Sequence, residues 1–142
     1  MILVDANLLL YAYHAGAAQH SAAKRWFESA LAGADPVGLS WSTILAFLRI
    51  GTNPRVFERP YSIEDAAGIA STWLSHPAIA VVRPGERYWE ILRELLFEAR
   101  AGAALVTDAA LAALAIEHGA TLCSTDRDFR RFRKLKLQNP LP

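Results

Sequence analysis

The sequence predicts a single α/β domain over residues 1–142, a three-layer α/β/α arrangement whose parallel five-stranded sheet runs in the order 3-2-1-4-5. Three observations predict it. Short apolar runs of strand character recur, at residues 2–4, 37–39, 79–82 and 120–123. Helical stretches separate them, so consecutive strands are joined by crossovers and lie parallel. At 142 residues the chain can bury one real core and is too short for two comfortable domains. Right-handed crossovers leave few strand orders, and 3-2-1-4-5 sets strands one and four side by side at a topological switch point.

The elements follow in order. Ile2-Leu3-Val4 is a buried-strand run that ends at Asp5, and Asn7 starts a helix carrying Leu8, Leu9 and Tyr13. A carboxylate therefore sits at the apex of a tight strand-to-helix turn. Ser21 opens a helix with Ala23, Trp26, Phe27, Ala30 and Leu31 on one face, closed by Gly33. After strand two, residues 40–50 read as a strongly apolar helix, and GTNPRVFERP as a loop. A capping-box pattern at Ser62-Ile63-Glu64-Asp65 starts a helix with Ile69, Trp73 and Leu74 inward. Residues 86–100, after strand three, form an amphipathic helix burying Trp89, Leu92, Leu96 and Ala99. The last helix has Thr107 as N-cap, Asp108 in its first turn and Gly119 at its end. Strand four follows, then a weak fifth strand near residues 135–137.

Ser124-Thr125-Asp126-Arg127-Asp128 comes directly after strand four, so Asp126 sits at the carboxyl end, where open α/β sheets keep their sites. Read singly, Asp108 completes a helix cap and Asp126 a turn. Asp5 changes that reading, because it leaves the neighbouring strand at the same sheet edge. Three carboxylates converging on one cleft repel one another unless a cation sits between them. Carboxylate oxygens without nearby His or Cys select Mg²⁺ or Mn²⁺ over Zn²⁺. The histidines, His14, His20, His76 and His118, are scattered without ligand spacing and read as surface or helix-end residues. Such a site suits phosphodiester hydrolysis. The glycine motifs of P-loops, dinucleotide sites and nucleophile elbows are absent.

Composition narrows the setting. Hydrophobic residues make up 53% and charged residues 20%, as in a soluble globular chain. The single cysteine, Cys123, lies in an apolar strand, which excludes a disulfide framework and points to a reducing, cytoplasmic compartment. No apolar run is long enough to cross a bilayer, and MILVDANLLLYAY lacks the basic leader of a signal peptide. The net charge of +1 is uninformative, but its distribution is not: residues 127–136 are rich in Lys and Arg, interleaved with Phe129 and Phe132. Arg127, Arg130, Arg131 and Lys134 are candidates for a phosphate-contacting rim, with Arg49 and Arg55 weaker ones; the alternative is a solvated basic face. Phe129, close behind the strand-four turn, reads as core.

ILVDANLLLYA, the STILAFLRI stretch, TDAALAALAIEHGA and STDRDFRRF together resemble the PIN domain, in particular the VapC-type toxins of bacterial toxin–antitoxin modules. The resemblance covers essentially the whole chain. It implies a small Mg²⁺- or Mn²⁺-dependent endoribonuclease acting on RNA, a homodimer, neutralised by a cognate antitoxin. It also implies Asp5, Asp108 and Asp126 as the principal catalytic and metal-binding acids, with Asp128 as an additional acid. Ser124 and Asn7 match supporting polar positions beside them. One position departs. The family commonly has a Glu on the helix after strand two, where this chain has Ala46, or Phe47 if the register slips by one. A non-catalytic PIN-like protein-binding module stays open on that account, and a PIN nuclease with a different nucleic-acid substrate stays open beside it. A phosphotransferase using Asp5 would want a second acid two residues on, where this chain has Asn7.

Overall fold

The computed structural model describes residues 1–100 and 102–142. β1 (Ile2–Val4), β2 (Val37–Leu39), β3 (Ile79–Val81), β4 (Thr121–Cys123) and β5 (Lys136–Gln138) form one parallel sheet, ordered β3-β2-β1-β4-β5 as the sequence predicts. β1 is the central strand, Leu3 pairing with Gly38 on one side and Leu122 on the other. Gly38 has to be a glycine, because a Cβ there would meet a Val82 methyl at 2.7 Å and the Ile2 carbonyl at 3.2 Å.

Successive strand residues point to opposite faces, and the two faces carry separate cores. Val4, Val37, Leu39 and Cys123 pack beneath α1 (Ala6–Tyr13), α2 (His20–Ala32), α3 (Trp41–Gly51) and α4 (Ile63–Ser75). Leu3, Val82 and Leu122 pack beneath α5 (Tyr88–Glu98), α6 (Val106–Glu117) and the 3₁₀ turn Arg127–Arg131. Aromatic rings tie the first layer together. Tyr13 stands edge-on to Phe27, Phe47 and Trp73 at 6.3, 5.8 and 5.4 Å, and Trp73 Nε1 donates to the Tyr13 hydroxyl at 2.9 Å. His14 is at a helix end, as expected, but it is buried, stacked on Phe57 at 3.7 Å with the Leu10 and Gly51 carbonyls beside its ring nitrogens.

The second layer depends on small side chains. Ala109, Ala112, Ala113 and Ala115 are all buried on α6, so this helix lies close against the sheet and α5. Gly119, at φ +63°, ends it in a left-handed conformation that other residues rarely adopt. The Glu117 carboxylate accepts from Gly85 and Arg87 N–H at 2.7 and 2.9 Å, which pins the entry to α5 against the end of α6.

Several boundaries and faces differ from expectation. α1 begins at Ala6, not Asn7, and its N-cap is Asp5, whose carboxylate accepts from Ala6 N–H at 2.8 Å. Thr107 caps nothing. The 3₁₀ turn Ala103–Leu105 runs straight into α6, so the backbone is already helical when it reaches Thr107. On α5 the inward residues are Ile91 and Leu95, with Leu92, Leu96 and Ala99 half-buried, while Trp89 is 64% exposed. Leu74 is likewise exposed, whereas Trp73 beside it is in the core. On both helices the buried stripe is narrower than the run of large apolar residues. β5 sits one residue later than expected, at Lys136–Gln138.

This assignment is checked by two tryptophans. Trp73→Ala should cost about 3–5 kcal/mol in urea unfolding, through lost packing and an emptied core. Trp89→Ala should stay within about 0.5 kcal/mol of wild type. Comparable losses at both positions would show that α5 turns a different face to the core.

A candidate metal centre at the carboxyl edge of the sheet

β1 and β4 are neighbours, so the residues leaving their carboxyl ends meet at one edge. From β1 comes Asp5; from β4 come Ser124, Thr125 and Asp126, followed by Asp128 in the 3₁₀ turn. α6 brings the first-turn Asp108 over the same edge. Asp108, Asp126 and Asp128 each offer a carboxylate oxygen, and the three oxygens lie within 4.8 Å of one another. Asp5, Asp108 and Asp126 line a common cleft of about 270 Å³.

Hydrogen bonds fix this geometry. The buried Ser124 hydroxyl donates to Asp5 Oδ2 at 2.6 Å and accepts from Asp126 N–H at 3.0 Å. Asp5 Oδ1 is taken by Ala6 N–H, so both oxygens of this acid have partners. Asp126 Oδ1 accepts from Asp128 N–H at 2.9 Å, which curls the turn and brings Asp128 towards the cluster. Asn7 Nδ2 donates to Thr125 Oγ1 at 2.9 Å and approaches Ser124 Oγ at 3.4 Å. The Asn7 Oδ1 atom is buried and has no partner among the described residues.

The electrostatics are those of acids held together against their repulsion. Asp108 is pushed up to about 6, first by burial and then by the charges of Asp126, Asp5 and Asp128. Asp5 is also raised, mainly by burial; its bonds from Ser124 and Ala6 oppose the rise and Asp126 adds to it. Every donor is a carboxylate or neutral oxygen, and no His or Cys joins the cluster among the described residues. A hard divalent cation fits this donor set, and Asn7 Oδ1 is a further oxygen beside it without a hydrogen to satisfy it. Cys123, one residue before Ser124, is buried and raised to about 11 by that burial, so it supplies no thiolate.

The other sequence candidates separate. Ala46 lines the cleft, while Phe47 is fully buried in the aromatic core, so the slipped register is excluded and no carboxylate stands at this point of the wall. Arg127 and Arg130 line a second, smaller hollow that shares Asp126. Lys134 instead lies 3.7 Å from Glu94, and Arg133 lies 4.0 Å from Glu98, both glutamates belonging to α5. Arg131 is exposed and lines neither space. Phe129 and Phe132 are both core. Sequence reasoning passed over Ser42, Thr43 and Thr107 in the cleft wall, and Asn139 in the smaller hollow. Asn139 had a signal: it is a polar residue directly after a strand, as Asp5 and Ser124 are. A larger hollow of about 800 Å³ lies at the opposite end of α1, around Tyr13, His14 and Phe57, away from the acids.

Comparison with known proteins agrees with this architecture. The sequence description of the PIN domain matches residues 2–135. Ribonuclease VapC37 of Mycobacterium tuberculosis is 43% identical over 140 residues, covering 99% of this chain and 97% of its own length. Ribonuclease VapC43 of the same species is 40% identical over 141 residues, covering 99% and 96%. Among solved structures, VapBC2 from Rickettsia felis bound to a promoter DNA fragment matches with a TM-score of 0.72 at 21% identity, over 98% of each chain. VapC20 of M. tuberculosis, a sarcin–ricin loop cleaving toxin, matches with a TM-score of 0.68 at 22% identity, over 92% of this chain and 93% of its own. At those identities the two structures speak for the fold; the sequence matches go further, and with the full-length agreement they show that the chain belongs to the PIN domain family, among its VapC-type members.

Proposed function

We propose that the protein is an endoribonuclease that hydrolyses RNA phosphodiester bonds with a bound Mg²⁺ or Mn²⁺ ion. In this reading it is the toxin of a toxin–antitoxin pair, a homodimer restrained by a cognate antitoxin. One observation carries the nuclease reading. Three carboxylate oxygens lie within 4.8 Å at the switch-point edge of a chain that matches ribonucleases from end to end. Asp108, Asp126 and Asp128 would hold the ion, and Asp5 would complete the negative field from the facing strand. A divalent ion in such a site lowers the pKa of water and stabilises the charge on the leaving oxygen.

The chain's own residues do the positioning. Ser124 keeps Asp5 and Asp126 at a fixed separation, and Asn7 holds the Thr125 hydroxyl. The rigid seat of α6 keeps Asp108 facing both. A second reading, a PIN-like protein-binding module without catalysis, is favoured by Ala46, where the cleft wall lacks a carboxylate. Cleavage of RNA by the purified protein with Mn²⁺, lost in Asp108→Asn, separates the two.

Mn²⁺ should stabilise the fold by mass action, by about 2.7 kcal/mol at a hundredfold excess over Kd, and so raise the melting temperature. The double variant Asp108→Asn, Asp126→Asn should abolish that shift; if it persists, the ion binds elsewhere. Protons compete with the ion, so the shift should be small below pH 6 and grow as the pH rises through about 6, where Asp108 ionises. Metal-free protein should show the opposite trend. Asp108 has a folded pKa of about 6, above the ordinary carboxylate value of 3.8, so its contribution is fully present below about pH 4 and lost as the pH rises through about 6. Asp108→Asn should flatten that limb in melts across this range.

Ala46→Glu adds a hard oxygen ligand at a cleft-facing, half-buried position. It should lower the Mn²⁺ Kd in isothermal titration and leave cleavage unchanged or faster, with the fold intact. A folded variant with no gain in affinity would show that a carboxylate here does not reach the ion.

A further inference from the structure

The hollow lined by Arg127 and Arg130 has the opposite chemistry to the cleft beside it. It measures about 170 Å³, lies between the turn after β4 and the residue after β5, and has Asp126 in common with the acidic cleft. Ser124, Thr125, Asn139 and Leu137 complete the walls, so polar groups outnumber apolar ones. Asn139 Oδ1 already accepts from Leu141 N–H at 3.0 Å, and Thr125 Oγ1 from Asn7 at 2.9 Å. The Asn139 amide N–H₂ and the Thr125 hydroxyl hydrogen are left to donate. Among the described residues neither arginine has a carboxylate within 4.0 Å, whereas Arg133 and Lys134 face Glu98 and Glu94. The volume corresponds to roughly six waters at ~30 Å³ each. That is room for a phosphate group with a little solvent.

Resting on the nuclease reading, we propose that this hollow is a subsite for the RNA backbone phosphate adjoining the one that is cut. Arg127 and Arg130 hold that phosphate while the strand passes over Asp126 into the cleft. Guanidinium forks match phosphate oxygens in a planar, two-point contact. Such a contact fixes the register of the strand without reading its sequence. The basic run is thereby divided: the first two arginines hold substrate, and the Arg133–Lys134 pair meets the glutamates of α5.

Fluorescence anisotropy tests this with a mixed-sequence single-stranded RNA oligonucleotide, titrated in EDTA at several salt concentrations so that nothing is cleaved. R127Q/R130Q should bind several-fold more weakly and flatten the salt slope by about 1.4, two contacts at ~0.7 each for a single strand. R133Q/K134Q removes the same charge from the same segment and should keep the wild-type slope. R130K retains charge and loses the fork; it should weaken binding with the slope near wild type, which keeps the test open if the double variant misfolds. Equal flattening by both double variants, or a wild-type slope in R127Q/R130Q, would overturn the subsite. The two readings fail separately. If wild type binds RNA through these arginines but cleaves none with Mn²⁺, the nuclease reading falls and only the phosphate contact of Arg127 and Arg130 remains, with no cut beside it; if it cleaves while R127Q/R130Q binds as wild type, only the subsite falls.

Discussion

Asp5 and Asp126 leave adjacent parallel strands at the same edge, and the buried hydroxyl of Ser124 is the group that holds them there. Two carboxylates in a partly desolvated space repel strongly, and each added acid raises the proton affinity of the others. Ser124 offsets part of this by donating to Asp5 while it anchors the backbone of Asp126. The rest is offset at a distance, by the β1–β4 ladder and the alanine face of α6. Stability made in the core is thus held as unfavourable charge at the edge, and a cation entering the cleft releases it.

The order of the sheet was legible because it follows from strand count, crossovers and handedness, none of which needs side-chain detail. The acids were legible for the same reason: once β1 and β4 are neighbours, Asp5 and Asp126 must meet. What escaped depends on contacts remote in sequence. The inward face of α5 turned out to be Ile91 and Leu95, set by its packing in the second core with α6, and nothing within residues 86–100 records that. The basic run 127–136 reads as uniform, yet glutamates on α5 divide it in space. Ala46 and Phe47 could not be told apart by spacing alone. On a helix one residue turns the side chain by about 100°, and here that turn separates the cleft wall from the aromatic core.

The two layers have different textures, and this bears on where the edge can vary. The α1–α4 side is locked by rings around Tyr13, with Trp73 and Tyr61 bonded to it, so its shape is set by large side chains in fixed contact. The α6 side is built of alanines, where close approach does the work and any added volume would push Asp108 away from its neighbours.

The central position of β1 also sets an order in time. A ribosome makes β1 first, yet the partner that turns Asp5 into part of an acidic centre is β4, near the other end of the chain. A nascent chain carried as far as α5 has Asp5 and none of Asp108, Asp126 or Asp128. The acidic centre comes into being only when β4 inserts beside β1, late in synthesis. Until then the carboxyl edge of the sheet carries Asp5 alone of the four acids.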